Sequence, residues 1–438
     1  MISKSEGYIK NMELVGYHDL DGIMAFQTQI YKTAEGRYYL YCGSMKGIGF
    51  NIVDITDPAN PQSIRYINCL DPQEYTYSST PKLQICDDLM IIAVGNGLPM
   101  LHGPYPEGGF KPLGPLMIYS LKDDPENPRL LSSWEPGNSP GVHRFCFNGG
   151  RYVHLSCSCP GYEGYIYRIL DIIDPASPVE VGRWWMDSQF QNSKTEEERA
   201  ACSTHFGGVH CVYVLDDKAY ISCMEKGFYV VDVSDVTQPK TLGHLEQHPP
   251  FSGKCAGARC HTFLPVIGTD FAVGTHEGER FFCQSDEMLS SGAQPLNTIV
   301  TIDVSNPADP TMVATFPYPE VPADFPFKNF NFCGLKRQGP FGPHNLHEPM
   351  TNKPWIENRI DRVYNCYFHA GMRVYDFSDP YNVKEIAYFI PPNPRKLYYE
   401  VEAPGPLLGS AEDCVVDDRG FIFMNTTHDG LYILRCLV

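Results

Sequence analysis

The chain has 438 residues, 43% of them hydrophobic and 13% aromatic, and a formal net charge of −18 at pH 7. This composition supports an extended packed core, while an acidic chain with no Lys/Arg run longer than a pair offers nothing to a phosphate backbone, so no nucleic acid is expected as a partner. There is no apolar run of about eighteen residues, and the N-terminal MISKSEGYIKNMEL lacks the apolar stretch of a secretory signal, which predicts a soluble, cytoplasmic protein with no membrane partner.

In chain order, the first strand-like run is NMELVGYHDL from Asn11, followed by MAFQTQIY and the phrase NIVDITDPANP from Asn51. The phrase recurs, intact or worn, as MIYSLKDDPENP from Met117, RILDIIDPASP from Arg168, YVVDVSDVTQP from Tyr229, VTIDVSNPADP from Val300 and RVYDFSDPYNV from Arg373. Each copy is a period-2 apolar run, a turn in which Asp caps the backbone and prolines preset φ, and a short strand such as QSIRYI or KTLGHL. Two more strand-like runs precede each copy, as VHCVYV and KAYISCM precede YVVDV. Four strands per unit, at a spacing of about sixty residues, describe propeller blades. A last unit, AEDCVVD, FIFMNTT and LYILRCLV, stops before its turn and fourth strand, and NMELVGYHDL is expected to supply that strand. The expected fold is therefore an all-β, seven-bladed β-propeller of four-stranded blades filling residues 1–438 as a single domain, its ring closed by the N-terminal strand joining the C-terminal blade.

The repeated phrase resembles the LVIVD repeat, a propeller family named for its strand motif, over nearly the whole chain. That resemblance implies the fold and leaves function open, a binding scaffold included. The sixteen cysteines are scattered through the strands of a large chain, and most read as buried thiols serving as small apolar residues. The close pairs Cys157/Cys159 and Cys255/Cys260 lack a second pair at zinc-site spacing and read as structural.

Aligning the first strand of successive units gives PGVHRFCF, GGVHCVYV, ARCHTFLP and GPHNLHEP, with His143, His210, His261 and His344 at one equivalent position. Innermost strands line the channel, so this register aims one imidazole per blade at the axis. Neutral rings placed there can share one ion while their other nitrogens bond outward. The competing reading has each ring capping a strand or packing in a crowded channel; repetition in four units, from fourteen histidines in all, favours a metal site. The remaining inner strands offer Gln27 or Gln29, Lys82 or Gln84, and Glu412. These read as groups supporting the ligands, as an acid or base, as polar channel lining or, for Glu412, as a direct ligand.

The long segments 95–114, 187–208, 248–259, 278–294, 316–342 and 391–409 fall on the histidine face and, being rich in aromatics and prolines, are expected to form an ordered lid over a small organic molecule of apolar or aromatic character. Within them, residues 192–201 read as an exposed helix. His276, His369, His428 and Glu225, near the ends of second strands, and His347, three residues past His344, are candidates for proton transfer or substrate orientation, each with a local hydrogen bond as its plainer role. No Gly-rich phosphate loop, Gly-x-Ser-x-Gly elbow or His-Glu-x-x-His is present, which removes nucleotide and nicotinamide cofactors.

A four-histidine centre in a seven-bladed propeller resembles, in architecture and not in sequence, the carotenoid cleavage oxygenases. That resemblance implies Fe(II) bound by His143, His210, His261 and His344 and oxygenase or oxidase chemistry, although the glutamates that support the ligands in those enzymes have no match here. All-imidazole ligation also admits Zn, Mn, Cu or Ni. Two alternatives stand beside it: a lyase or hydrolase using the ion as a Lewis acid, with streptogramin-inactivating propeller lyases as architectural precedent, and a non-catalytic scaffold.

Overall fold

Two side chains shape the turn of each repeat. In the computed structural model, Asp54 Oδ1 accepts Thr56 N at 2.9 Å and Asp57 Oδ1 accepts Ala59 N at 3.1 Å. The pattern recurs at Asp171 and Asp174, at Asp232 and Asp235, at Asp303 and Asn306, and at Asp376 and Asp379. A short polar side chain thus bonds the backbone two residues on and reverses the chain into the next strand. The structure describes residues 7–96, 114–137, 141–195, 208–248, 251, 259–277, 297–326, 328–330, 342–394, 396–397 and 409–438.

These turns organise antiparallel four-stranded sheets. Val142–Cys146, Tyr152–Ser158, Tyr165–Asp171 and Val179–Trp184 form one; Cys211–Leu215, Lys218–Ser222, Phe228–Asp232 and Lys240–Leu245 the next; and Arg259–Pro265, Phe271–Glu277, Ile299–Asp303 and Thr311–Thr315 a third. Upstream, two such units, Ala25–Lys32 to Gln62–Asn68 and Ser78–Cys86 to Arg129–Trp134, are joined as one eight-stranded sheet through the single pair Ser44↔Thr80. Downstream, Arg362–Cys366, Met372–Asp376 and Lys384–Ile390 take Tyr8–Lys10 as an edge strand, while Ala411–Val416, Phe421–Thr426 and Gly430–Cys436 take Met12–His18. The N-terminal segment divides at Asn11, whose φ of 52° breaks the strand and whose amide donates to Ile386 O at 2.7 Å. It is therefore pinned to two sheets, where the sequence pointed to one.

The inner strand expected in GPHNLHEP is not regular. It keeps backbone bonds from His344 N to Cys366 O (2.8 Å) and from Cys366 N to Asn345 O (2.9 Å), but Pro343 and Pro349 have no N–H with which to extend the ladder.

Apolar layers between successive sheets hold the units together: Ile91, Ala93 and Ile118 pack with Phe145, Val153 and Leu155, and Tyr167 and Ile169 pack with Val212, Ile221 and Val231. Each such side chain contributes about 1.5–3 kcal/mol of burial. At the rim, a Cβ on Gly182 would collide with Val236 O, and one on Gly16 with Pro58 O, so the outer strand of one unit lies directly against the turn of the next. The described cysteines are free thiols, most of them buried, Cys157 and Cys159 included; Cys255 lies outside the described residues. Among the described residues no helix is long and apolar enough to cross a membrane.

Deleting residues 1–20 removes the partners of both Gly430–Cys436 and Lys384–Ile390 and bares two sheet edges. The truncated protein is expected to aggregate and to melt well below the full chain; a monodisperse truncation with unchanged Tm would overturn this role for the segment.

Candidate metal centre

A β-bulge opens five of the inner strands. Register shifts fall between Val142 and Arg144, Cys260 and Thr262, Ala411 and Asp413, Ser79 and Lys82, and Ala25 and Thr28, which leaves His143, His261, Glu412, Thr80 with Pro81, and Phe26 with Gln27 without a partner in the second strand of their own unit; Thr80 pairs instead with Ser44 of the first unit. A bulge breaks the period-2 alternation and re-aims a side chain, so neighbouring residues can both face the channel.

The four histidines of the repeated register come together. Ring centroids are 4.6 Å apart for His143 and His210, 4.1 Å for His210 and His261, and 4.9 Å for His261 and His344. His210 donates Nδ1–H to His261 O at 2.7 Å, and His344 donates Nδ1–H to Glu412 O at 2.8 Å. A carbonyl only accepts, so both rings carry their proton on Nδ1 and keep the Nε2 lone pair. His261 Nδ1 lies 2.8 Å from Thr262 Oγ1, so this nitrogen too has a partner of its own. His143 Nε2 is buried with no hydrogen-bond partner among the described residues. Burial holds all four rings well below the usual imidazole pKa, and the nearby Lys82 and Arg144 push in the same direction. They are neutral at physiological pH, the form that binds metals.

Carboxylates complete the cluster. Glu277 Oε1 lies 3.5 Å from His344 Nε2 and 4.0 Å from His261 Nε2, and the three donor atoms fall within 4.8 Å of one another. Glu412 Oε2 approaches His344 Nδ1 at 3.4 Å, while its Oε1 accepts from Ser410 Oγ at 3.1 Å and from the Thr427 hydroxyl. Apolar walls adjoin: Phe368 stacks on His344 at 4.6 Å, Phe26 meets it edge-on at 5.6 Å, and Tyr165 stacks on His143 at 5.0 Å. The Lys82 amine sits 3.7 Å from the Phe26 ring centroid, its pKa drawn down to about 7 first by burial and then by Arg144.

Next to the histidines runs a buried polar network. Arg144 bonds Glu348 at 2.8 Å, Tyr213 OH at 3.3 Å and the Asn345 side chain. Tyr213 OH donates to Glu348 at 2.6 Å, and Gln84 donates to the other Glu348 oxygen at 3.2 Å. Lys353 bonds Gln84 and Gln29 at 3.0 and 3.2 Å. Gln27 accepts Leu83 N at 3.1 Å. The glutamines foreseen near the site are thus structural links between units.

The other foreseen residues are placed as follows. His347 is spent on backbone at both nitrogens, donating Nε2–H to Glu357 O at 2.8 Å and accepting Val416 N at 3.2 Å, which leaves neither for proton transfer. His276 bridges Thr298 O at 3.1 Å and the Gln247 amide at 2.8 Å. His369 is buried in the turn between Arg362–Cys366 and Met372–Asp376, and His428 lies between Phe421–Thr426 and Gly430–Cys436. Glu225 meets Arg259 at 3.5 Å. Sequence reading passed over Glu277 and Arg144. Glu277 stands beside His276, and alternation along a strand sends the two to opposite faces, a signal that points to either one. The described part of segment 316–342 packs on one sheet's outer strands, with Phe325 on Tyr8 and Glu320 O accepting from Arg373 at 3.0 Å. Most of the other long segments, and residues 196–201 of the expected helix, lie outside the described residues.

In fold, the chain is similar to the β-propeller domain of Cps50 (Swd1) from Myceliophteria thermophila, at 10% identity over 99% of this chain and 100% of that one, TM-score 0.52. It is also similar to the periplasmic gluconolactonase PpgL of Pseudomonas aeruginosa, at 12% identity over 93% and 94%, TM-score 0.51. Raptor from Chaetomium thermophilum matches at 9% identity over 98% of this chain and 29% of that one, TM-score 0.54. The chain is an all-β protein of propeller type. It carries LVIVD repeats, matched at residues 38–67, 207–245 and 293–317. No curated protein matches it in sequence.

His154 lies outside the cluster, with Nδ1 2.7 Å from Tyr167 OH, and burial lowers its pKa from 6.5 to about 4. Between these values the unfolded chain binds a proton that the folded protein does not, so stability falls as pH falls through the window, by up to about 1.4 kcal/mol per unit. Urea unfolding from pH 7 to 4.5 should show a shallower pH dependence for H154Q than for the wild type; identical slopes would exclude His154 as a source.

Proposed function

We propose that His143, His210, His261 and His344 bind one divalent transition metal through Nε2 at the axis of a seven-bladed ring, and that the chain is an enzyme using this ion on a small organic molecule. The ring reading rests on the pairing of Met12–His18 with Gly430–Cys436, and on Thr28 N and Oγ1 bonding Asp413 at 2.8 and 3.1 Å, which joins the first unit to the last. The metal reading rests on one observation: the Nδ1 positions of His210, His261 and His344 are occupied by outward partners, and Nε2 is left for a ligand role at each. Backbone and hydroxyl partners of this kind fix ring orientation and tautomer in metal sites. The long segments of the histidine face are assigned as its lid, and the protein as cytoplasmic, without nucleic-acid or membrane partners.

Fe(II) is the favoured ion, with oxygenase or oxidase chemistry, because four neutral imidazoles leave coordination positions open and the arrangement resembles that of the carotenoid cleavage oxygenases. Bound there, iron supplies redox chemistry with dioxygen; Zn or Mn would supply Lewis acidity in its place. The chain's own contribution is to hold the rings, wall the site with Phe26 and Phe368, and set Glu277 where it can hold a proton or add a donor. Glu277 is also what favours the second reading, a metal-dependent lyase or hydrolase, since a carboxylate beside a Lewis acid can serve as base.

Elemental analysis of anaerobically purified protein tests the proposal. About one metal per chain is expected, with nitrogen–metal distances of about 2.0–2.2 Å for a zinc-like ion. H210A and H261A should lose most of that metal and keep their circular dichroism, whereas H154Q keeps both. Wild-type metal content in H210A and H261A would overturn the site, and a metal-free wild type would leave the scaffold reading in its place.

A further inference from the structure

Lys82 has no part in holding the metal, yet it is buried at the same centre. It is 6% exposed, and its amine lies over Phe26, whose ring meets His344 edge-on. Its charge acts on each of the four histidines. The bulge between Ser79 and Lys82 is what turns this residue into the channel.

The other buried cations all have partners. Arg144 has Glu348, Arg168 has Glu180, Arg373 has Glu385, and Lys353 has the Gln29 and Gln84 carbonyls. Among the described residues, no carboxylate or carbonyl reaches hydrogen-bond or ion-pair distance of the Lys82 amine. Removing an ammonium from water without a counter-ion costs several kcal/mol, of which the Phe26 face returns about 2 kcal/mol. A group kept at such a cost is explained when a ligand brings the missing charge.

We propose that Lys82 anchors an organic carboxylate as the substrate class of the histidine centre, the carboxylate meeting the ammonium while the apolar or aromatic body of the molecule lies between Phe26 and Phe368. This deepens the metal-enzyme reading and rests on it. A cleft of about 440 Å³, lined by Met24, Ser44, Tyr66, Tyr75 and Ser78, opens between the first two units, next to the strands that carry Phe26 and Lys82.

The test is calorimetric titration of Co(II)-loaded protein with benzoate and with its neutral isostere benzamide. Wild type should bind benzoate about ten-fold more tightly than benzamide, and K82M, with K82Q as a second variant, should lose about that factor for benzoate with benzamide unchanged. Co(II) stoichiometry should be unaltered in both variants. Tm should rise in K82M, since an unpaired buried charge is removed, whereas a structural lysine would give a lower Tm. Equal benzoate affinity in wild type and both variants, or a fall in Tm, overturns the proposal. If wild type takes up no Co(II), the metal reading fails on its own, and the anchor is judged on metal-free protein, where the loss of benzoate binding in K82M must persist.

Discussion

A bulge in five of the inner strands is the constraint on which the proposed site depends. In a regular strand one residue in two would face the channel, and the imidazole of His143 and the guanidinium of Arg144 could not both reach it. An unpaired residue between Val142 and Arg144 lets neighbours serve two purposes: His143 joins the ring cluster, and Arg144 enters the Glu348 network. The same device separates Glu412, which serves the histidines, from Asp413, which binds Thr28.

Two of the buried arginines are matched to carboxylates. Arg144 faces Glu348, and Arg168, further out, faces Glu180. Buried pairs of this kind stabilise little after desolvation is counted, so their value lies in fixing geometry. Asp413 shows the burial cost directly, its pKa raised to about 7 by desolvation. Lys82, lacking any such partner among the described residues, marks the place where the internal balance is left open.

The repeats were legible because each carries its own turn chemistry: Asp side chains bonding two residues ahead are a local cause and need no tertiary information. The convergence of His143, His210, His261 and His344 was legible for a related reason, since an equivalent register in equivalent units must place side chains equivalently. What sequence could not carry was anything set by a departure from regularity. The division of the N-terminal segment at Asn11 depends on a single left-handed residue, and the irregular course of Pro343–Pro349 on two missing N–H groups. Glu277 joins the site from the end of a second strand, where the pattern gives equal standing to His276; their hydrogen bonds, and not their spacing, separate the two.

The site is asymmetric in a way that bears on how a substrate meets it. Histidines come from four consecutive units, whereas Phe26, Lys82 and Glu412 are contributed at the same level by three others. The four imidazoles therefore occupy one arc of the site, with an apolar wall, an ammonium and a carboxylate on the other. If these rings hold an ion, as proposed, His143, His210, His261 and His344 would be its protein donors, with Phe26 and Lys82 beside them. The four imidazoles belong to four separate units, so their mutual geometry depends on how neighbouring sheets pack. Apolar layers lock neighbouring sheets and so hold the four rings in place, the condition under which a fixed electrostatic environment is most effective.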